Sequence, residues 1–155
     1  MTTNYVRGAS ISCAAFRAEI QDMLTGYGAT GFRCGWEDGR AAIAFTADNR
    51  HFRIILALPG SVGLSGSAGD PLQPRSLDPG ARAVEEASRR RWQKLSVLIR
   101  AKLEAVAAGI ATFDEEFLAY LVLPGGGTVF QAAAPGIATA YATGIRTELL
   151  SDNGR

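Results

Sequence analysis

The chain predicts an α+β domain: an N-terminal helix, a three-stranded antiparallel meander, a long central helix and two short C-terminal helices. Three observations carry that reading. Apolar residues recur at every second position from Phe32 to Leu58, with polar or small residues between them except at Ile55, interrupted at Asp38-Gly39 and Asp48-Asn49. A seam at steps of three and four follows, through Trp92, Leu95, Ile99, Leu103 and Val106. Glycine and proline mark the breaks between these patterns. At 155 residues the whole chain, 1–155, reads as one domain, long enough to bury a core without staples.

The elements follow in order. Phe16, Ile20, Met23, Leu24 and Tyr27 share one helical face, which predicts a helix over 12–25, capped by Ser12 and stopped by Gly26 and Gly28. Residues 1–10 are expected to fray. In the first strand Phe32, Cys34 and Trp36 alternate with Arg33, Gly35 and Glu37. Asp38-Gly39 suits a type I′ turn, which needs positive φ at both central positions. In the second strand Ala41, Ile43, Phe45 and Ala47 form the apolar side; after a turn at Asp48-Asn49, Phe52, Ile54, Leu56 and Leu58 do so in the third. The other side of the meander carries Arg33, Arg40, His51 and Arg53 around Ala42 and Ala44.

Residues 59–80 hold four prolines and five glycines without periodicity, and are expected to form a mobile loop. The long helix is predicted over 81–108. From Leu95 onward it is apolar nearly all round, as Val97, Leu98, Ala101, Ala105 and Ala108 face away from the seam; such a helix packs on two sides or serves self-association. Thr112-Phe113-Asp114-Glu115 is a capping box that opens a short helix with Phe113, Phe117, Tyr120 and Leu121 on one face. Pro135 suits the first turn of a last helix that buries Ile137 and Tyr141 and stops at Gly144. The tail 151–155 is expected to fray.

Several chemical signals dissolve in this context. Gly26-Tyr27-Gly28-Ala29-Thr30-Gly31 has the G-x-G-x-x-G spacing, but a dinucleotide loop needs a strand before it and a helix after it, and here the order is reversed. Gly125-Gly126-Gly127 runs into Thr128-Val129 rather than the Lys-Ser/Thr of a phosphate-binding loop. His51 is the one histidine, with no marked nucleophile beside it, and a single histidine supports no histidine-rich zinc motif. Asp114, Glu115 and Glu116 are read as first-turn charges favoured by the helix dipole rather than as a magnesium site. Cys13 and Cys34 read as buried thiols of a reducing compartment, with a disulfide between them left open. No catalytic residue, metal or cofactor is therefore expected. The N-terminus has no apolar leader-like run and no stretch reaches the ~20 apolar residues of a membrane span, so a cytoplasmic protein is expected.

Charge is balanced overall, with sixteen basic and fifteen acidic side chains, but it is segregated. Arg82, Arg89, Arg90, Arg91, Lys94, Arg100 and Lys102 against Glu85, Glu86 and Glu104 leave +4, whereas 105–155 carries −3. Arg89, Arg90, Arg91 and Lys94 at the start of the long helix, together with Arg33, Arg40 and Arg53 of the meander, are the candidate phosphate contacts. The expectation is that helix and sheet cations share one surface, since arginine's planar fork suits phosphate.

The run WQKLSVLIRAKLEAVAAGIATFDEEFLAYLVLPGGGTV from Trp92, with the earlier YGATGFRCGWEDGRAAIAF, resembles a group of small phage and prophage proteins that share a W-x-x-L-x-x-x-I-x-A-K-L-E-A-V-x-x-G-I-x-T-F-x-E-E-F-L-A segment. The resemblance spans about residues 16 to 144. It implies a phage origin, and so the host cytoplasm, and transfers no catalytic residue. The architecture of meander plus long helix is similar to the core of single-strand annealing proteins, which hold DNA in a basic groove as rings or filaments. The functional expectation is a non-enzymatic phage protein that binds nucleic acid, single-stranded DNA foremost, as a homo-oligomer. The alternatives are an interaction protein that inhibits or sequesters a host factor or small ligand, and a virion component.

Overall fold

The computed structural model describes residues 4–59 and 79–146, with the backbone alone over 4–12. The parts of the expected frayed ends and of the 59–80 loop that fall on 1–3, 60–78 and 147–155 lie outside these residues. The α+β order is as expected: α1 (Asn4–Tyr27), β1 (Thr30–Glu37), β2 (Arg40–Ala47), β3 (Arg50–Leu56), α2 (Pro79–Ala107), α3 (Phe113–Phe117) and α4 (Val129–Thr143).

Helix α1 begins eight residues before the expected start, so Ser12 lies inside it rather than at its cap. Its stop is Gly28, whose φ of 119° no other residue adopts readily. The three strands pair in sequence order, both pairs antiparallel. Both hairpin turns have positive φ at their two central residues, 50° and 73° at Asp38-Gly39 and 49° and 61° at Asp48-Asn49. That is the signature of the type I′ turn, whose twist matches the strands it joins.

One face of the sheet is dry. Ala41, Ile43, Phe45, Ala47, Phe52 and Ile54 are buried there against Ile20 and Leu24 of α1 and Trp92, Leu95 and Ile99 of α2. An Arg100–Glu19 ion pair links the two helices. Cys34 and Trp36 depart from the expected apolar face. Register sets them opposite Ile43 and Ala41, hence on the inner side, but β1 is an edge strand and its far end borders an open cleft. Trp36 is 68% exposed and Cys34 is exposed, which corrects the reading of two buried thiols.

Beyond α2, Thr112 caps α3 with both hydrogen bonds of the capping box in place. The cap aims two phenylalanines into the core. Phe113 and Phe117 stack at 4.4 Å, Phe113 meets Phe52 edge-on at 5.4 Å, and Phe117 meets Phe45 edge-on at 6.3 Å. Lys102 holds the far end, donating to the Glu116 carbonyl at 2.9 Å and pairing with its carboxylate at 3.1 Å. After a 3-10 turn, Leu118–Tyr120, the chain runs along the free edge of β3: Leu121 bridges to Phe52, and the Val122 N–H donates to the His51 carbonyl at 2.8 Å.

Helix α4 differs from its expectation in two respects. It starts at Val129, because Thr128 and Gln131 form a second capping box, and Pro135 consequently lies inside the helix. It also does not bury Ile137 and Tyr141; Ala133 is its buried residue, and Gly144 ends it in the left-handed conformation as expected. Among the described residues no helix is long and apolar enough to cross a membrane.

Candidate functional site

Strand alternation turns one set of side chains to the core and the other to the opposite, outer face. On that outer face Arg33 of β1 and Arg53 of β3 both pair with Ala44 of β2, and the three form one row across the sheet. One row away Thr46 lies opposite His51, and their side chains share a hydrogen bond at 3.1 Å between Oγ1 and Nδ1. The register of β1 slips between Thr30 and Arg33, where Gly31 takes φ 64°. Such a bulge bends its strand and re-aims the side chain beside it. Gly31, Arg33, Ala44, Thr46, His51 and Arg53 line a cleft of about 280 Å³. Its floor is small because β2 contributes alanine and threonine there, while the long cationic side chains come from the strands on either side.

Arg53 is the least free of the cations. Its Nη2 donates to Gln131 Oε1 at 3.3 Å, and its Nε lies 3.5 Å from Glu37 Oε2 in an ion pair. That Nε is shielded from solvent and makes no hydrogen bond. Arg40 opens β2 on the same face, opposite Glu37. Among the described residues Arg33 and Arg40 enter no ion pair. The meander thus brings three of the seven expected contacts onto one face.

The other four do not join them. Arg89, Arg90, Arg91 and Lys94 belong to α2, which packs on the inner face, so the sheet separates the two groups. Three of the four are also engaged. Arg89 grips Glu86 through two bonds at 3.2 and 2.8 Å, and Arg90 reaches the same carboxylate at 3.1 Å. The hydrogen bond from Arg89 is the main cause holding the Glu86 carboxyl below its ordinary range, and in return Glu86 raises Arg89. Arg91 donates to the Ala57 carbonyl at 2.6 Å, tying α2 to the chain leaving β3. Lys94 is exposed without an ion pair among the described residues. The expectation of one shared cationic surface is therefore corrected.

The acidic run of α3 is structural in each member. Asp114 pairs with Arg50 at 2.6 Å, Glu115 closes the capping box, and Glu116 meets Lys102. Among the described residues no cluster of three histidine, cysteine or carboxylate side chains could hold a metal ion. A second cleft, also about 280 Å³, lies between α1, the exposed end of β1 and α2, and is lined by Cys13, Arg17, Cys34, Trp36 and Trp92 among others. The Arg17 guanidinium lies 5.8 Å from the Trp92 ring centre there.

Thr46 is the member of the outer cleft that sequence reasoning did not single out. Its signal was available, since the alternation that places Ala42 and Ala44 outward places Thr46 with them. The Gln131 contact to Arg53 had no sequence signal, as the two residues meet only when α4 folds back beside β3. Comparison with protein-family models, curated proteins and solved structures finds no match for the chain.

Proposed function

We propose that the chain is a non-enzymatic binder of single-stranded nucleic acid, DNA foremost, and that the sugar–phosphate backbone lies on the outer face of the sheet. The row Arg33–Ala44–Arg53 carries the reading: two arginines on flanking strands stand either side of one alanine, Arg33 without an ion pair among the described residues and Arg53 braced by Glu37 and Gln131. Flanking strands two spacings apart stand about 9–10 Å from each other, so arginines from both can reach one backbone lying along β2. Arg40 lies four residues before Ala44 on β2, roughly 13 Å along the strand. A ligand that reaches both levels carries several anionic groups in a line, which favours a polyanion over an isolated phosphate. The Thr46 hydroxyl and the His51 ring add hydrogen-bonding capacity to the same cleft.

This reading drops the α2 arginines from the interface and keeps Arg33, Arg40 and Arg53. Bonds to phosphate position a strand without reading its sequence, so weak sequence preference is expected. The test is a fluorescence-anisotropy titration of the full chain with a labelled oligonucleotide at two salt concentrations. Binding that falls steeply with salt supports the reading, because displaced counterions drive such association. No binding at low salt ends it.

A further inference from the structure

Helix α4 carries a surface that the other described residues leave open. Phe130, Ala134, Ile137 and Tyr141 fall at steps of four, three and four, the spacing that aligns side chains along a helix-pairing seam. Phe130 is 64% exposed, Ile137 41% and Tyr141 89%, and Ile145 just past the helix end is exposed as well. The docked side of α4 adjoins this seam, around the buried Ala133, three residues from Phe130 and four from Ile137. Intrinsic propensity does not sustain the helix, since a helix of about 15 residues is marginal alone and an internal proline costs about 3 kcal/mol. Pro135 and Gly136 both lie within it. Such a helix draws its stability from packing, and the other described residues cover little of it.

We infer that the seam is covered by α4 of a second copy, forming a two-fold, antiparallel helix pair in which Tyr141 lies against the partner's Phe130. Two observations favour a second copy over an unlike protein. The residues Val129–Thr143 include no charged side chain, so identical helices meet without like-charge repulsion. The exposed side chains present on the order of 500 Å² per copy, given what aromatic residues contribute. Fully covered in both copies, these side chains account for about 1,000 Å², the lower bound for a specific interface. The pairing rests on α4 alone and is independent of nucleic-acid binding.

The experiment is sedimentation equilibrium or light scattering on the full chain, stripped of nucleic acid at high salt so that a bridging strand cannot mimic a dimer. The expected mass is twice 16.4 kDa. Phe130→Glu and Tyr141→Glu each weaken association at least about tenfold, as loss of an interface anchor does. Ala132→Glu, on the opposite side of α4, leaves the dimer intact. Because Phe130 and Tyr141 are exposed, the variants keep the circular dichroism of the parent. A parent chain that stays monomeric at about 100 μM, a concentration that detects even weak pairing, overturns the inference. So does a dimer that survives both glutamate variants.

Discussion

Arg33 and Arg53 share a cross-strand row with Ala44 between them, so two cations from opposite edges of the meander overlook one methyl group. Replacing either by alanine is expected to weaken oligonucleotide binding and to lower the slope of log affinity against log salt by about one. Arg90→Ala and Lys94→Ala, on the far side of the sheet, are expected to leave that slope unchanged. Anisotropy titrations at several salt concentrations check both statements. Equal losses from the two sets would remove the outer face as the interface.

Ala44→Glu tests the same cleft from its floor. A carboxylate between the two guanidinium groups pairs with them and occupies the space a phosphate would take. Oligonucleotide binding is expected to disappear while the thermal transition persists, a contrast read by titration beside a melting curve.

Phe117 is fully buried beside Phe45 and Phe113, with the Lys102 ammonium 5.8 Å from its ring centre. Phe117→Ala is expected to cost about 3–5 kcal/mol, since the rings around it cannot collapse into the cavity. In a domain of this size that lowers Tm by on the order of 10 °C. Calorimetry of parent and variant measures it.

The capping box of α3 sets a pH dependence. Glu115 accepts from the Thr112 N–H at 2.7 Å and from its hydroxyl at 2.9 Å, and the backbone bond is the main cause that lowers its pKa from the ordinary 4.5. A folded value below the unfolded one stabilises the native state above 4.5, and that contribution fades as pH falls through the folded value. Glu86, lowered by Arg89, adds a change of the same sign. Urea midpoints are expected to drop below pH 4.5, and less so in Glu115→Gln, whose amide still caps without titrating. Removing the cap by Thr112→Ala is expected to cost about 0.5–2 kcal/mol at neutral pH.

Trp36 and Trp92 separate cleanly by solvent access, at 68% and 4% exposure. Acrylamide is expected to quench one component of the emission, and Trp36→Phe to abolish that component. Cys34, on the same open edge, is expected to react with a thiol reagent before the half-buried Cys13. Quenching curves and timed mass spectra of the labelled chain give the two answers.

The amino-acid order alone determined the elements whose causes are local. Positive-φ turns at Asp38-Gly39 and Asp48-Asn49 and the Thr112–Glu115 box depend on residues a few positions apart, and each formed where its chemistry required. Period-two alternation likewise placed Arg33, Arg40 and Arg53 on one side of the meander. The second capping box, Thr128–Gln131, was equally local and outranked Pro135 as the start of α4, because it satisfies two amide donors where proline merely lacks one.

What tertiary structure decided was which side of each element finds a neighbour. A wheel shows that α2 is basic on one side and a strand diagram shows that β1 is apolar on one side. Neither shows that the sheet stands between the two sets of arginines, that the edge position of β1 bares Trp36, or that α4 docks through Ala133 and leaves Tyr141 outside. Those outcomes depend on contacts between residues far apart in the chain, such as Arg53 with Gln131, and on how much area two helices can cover. Periodicity records that a surface is apolar; only packing assigns it a partner.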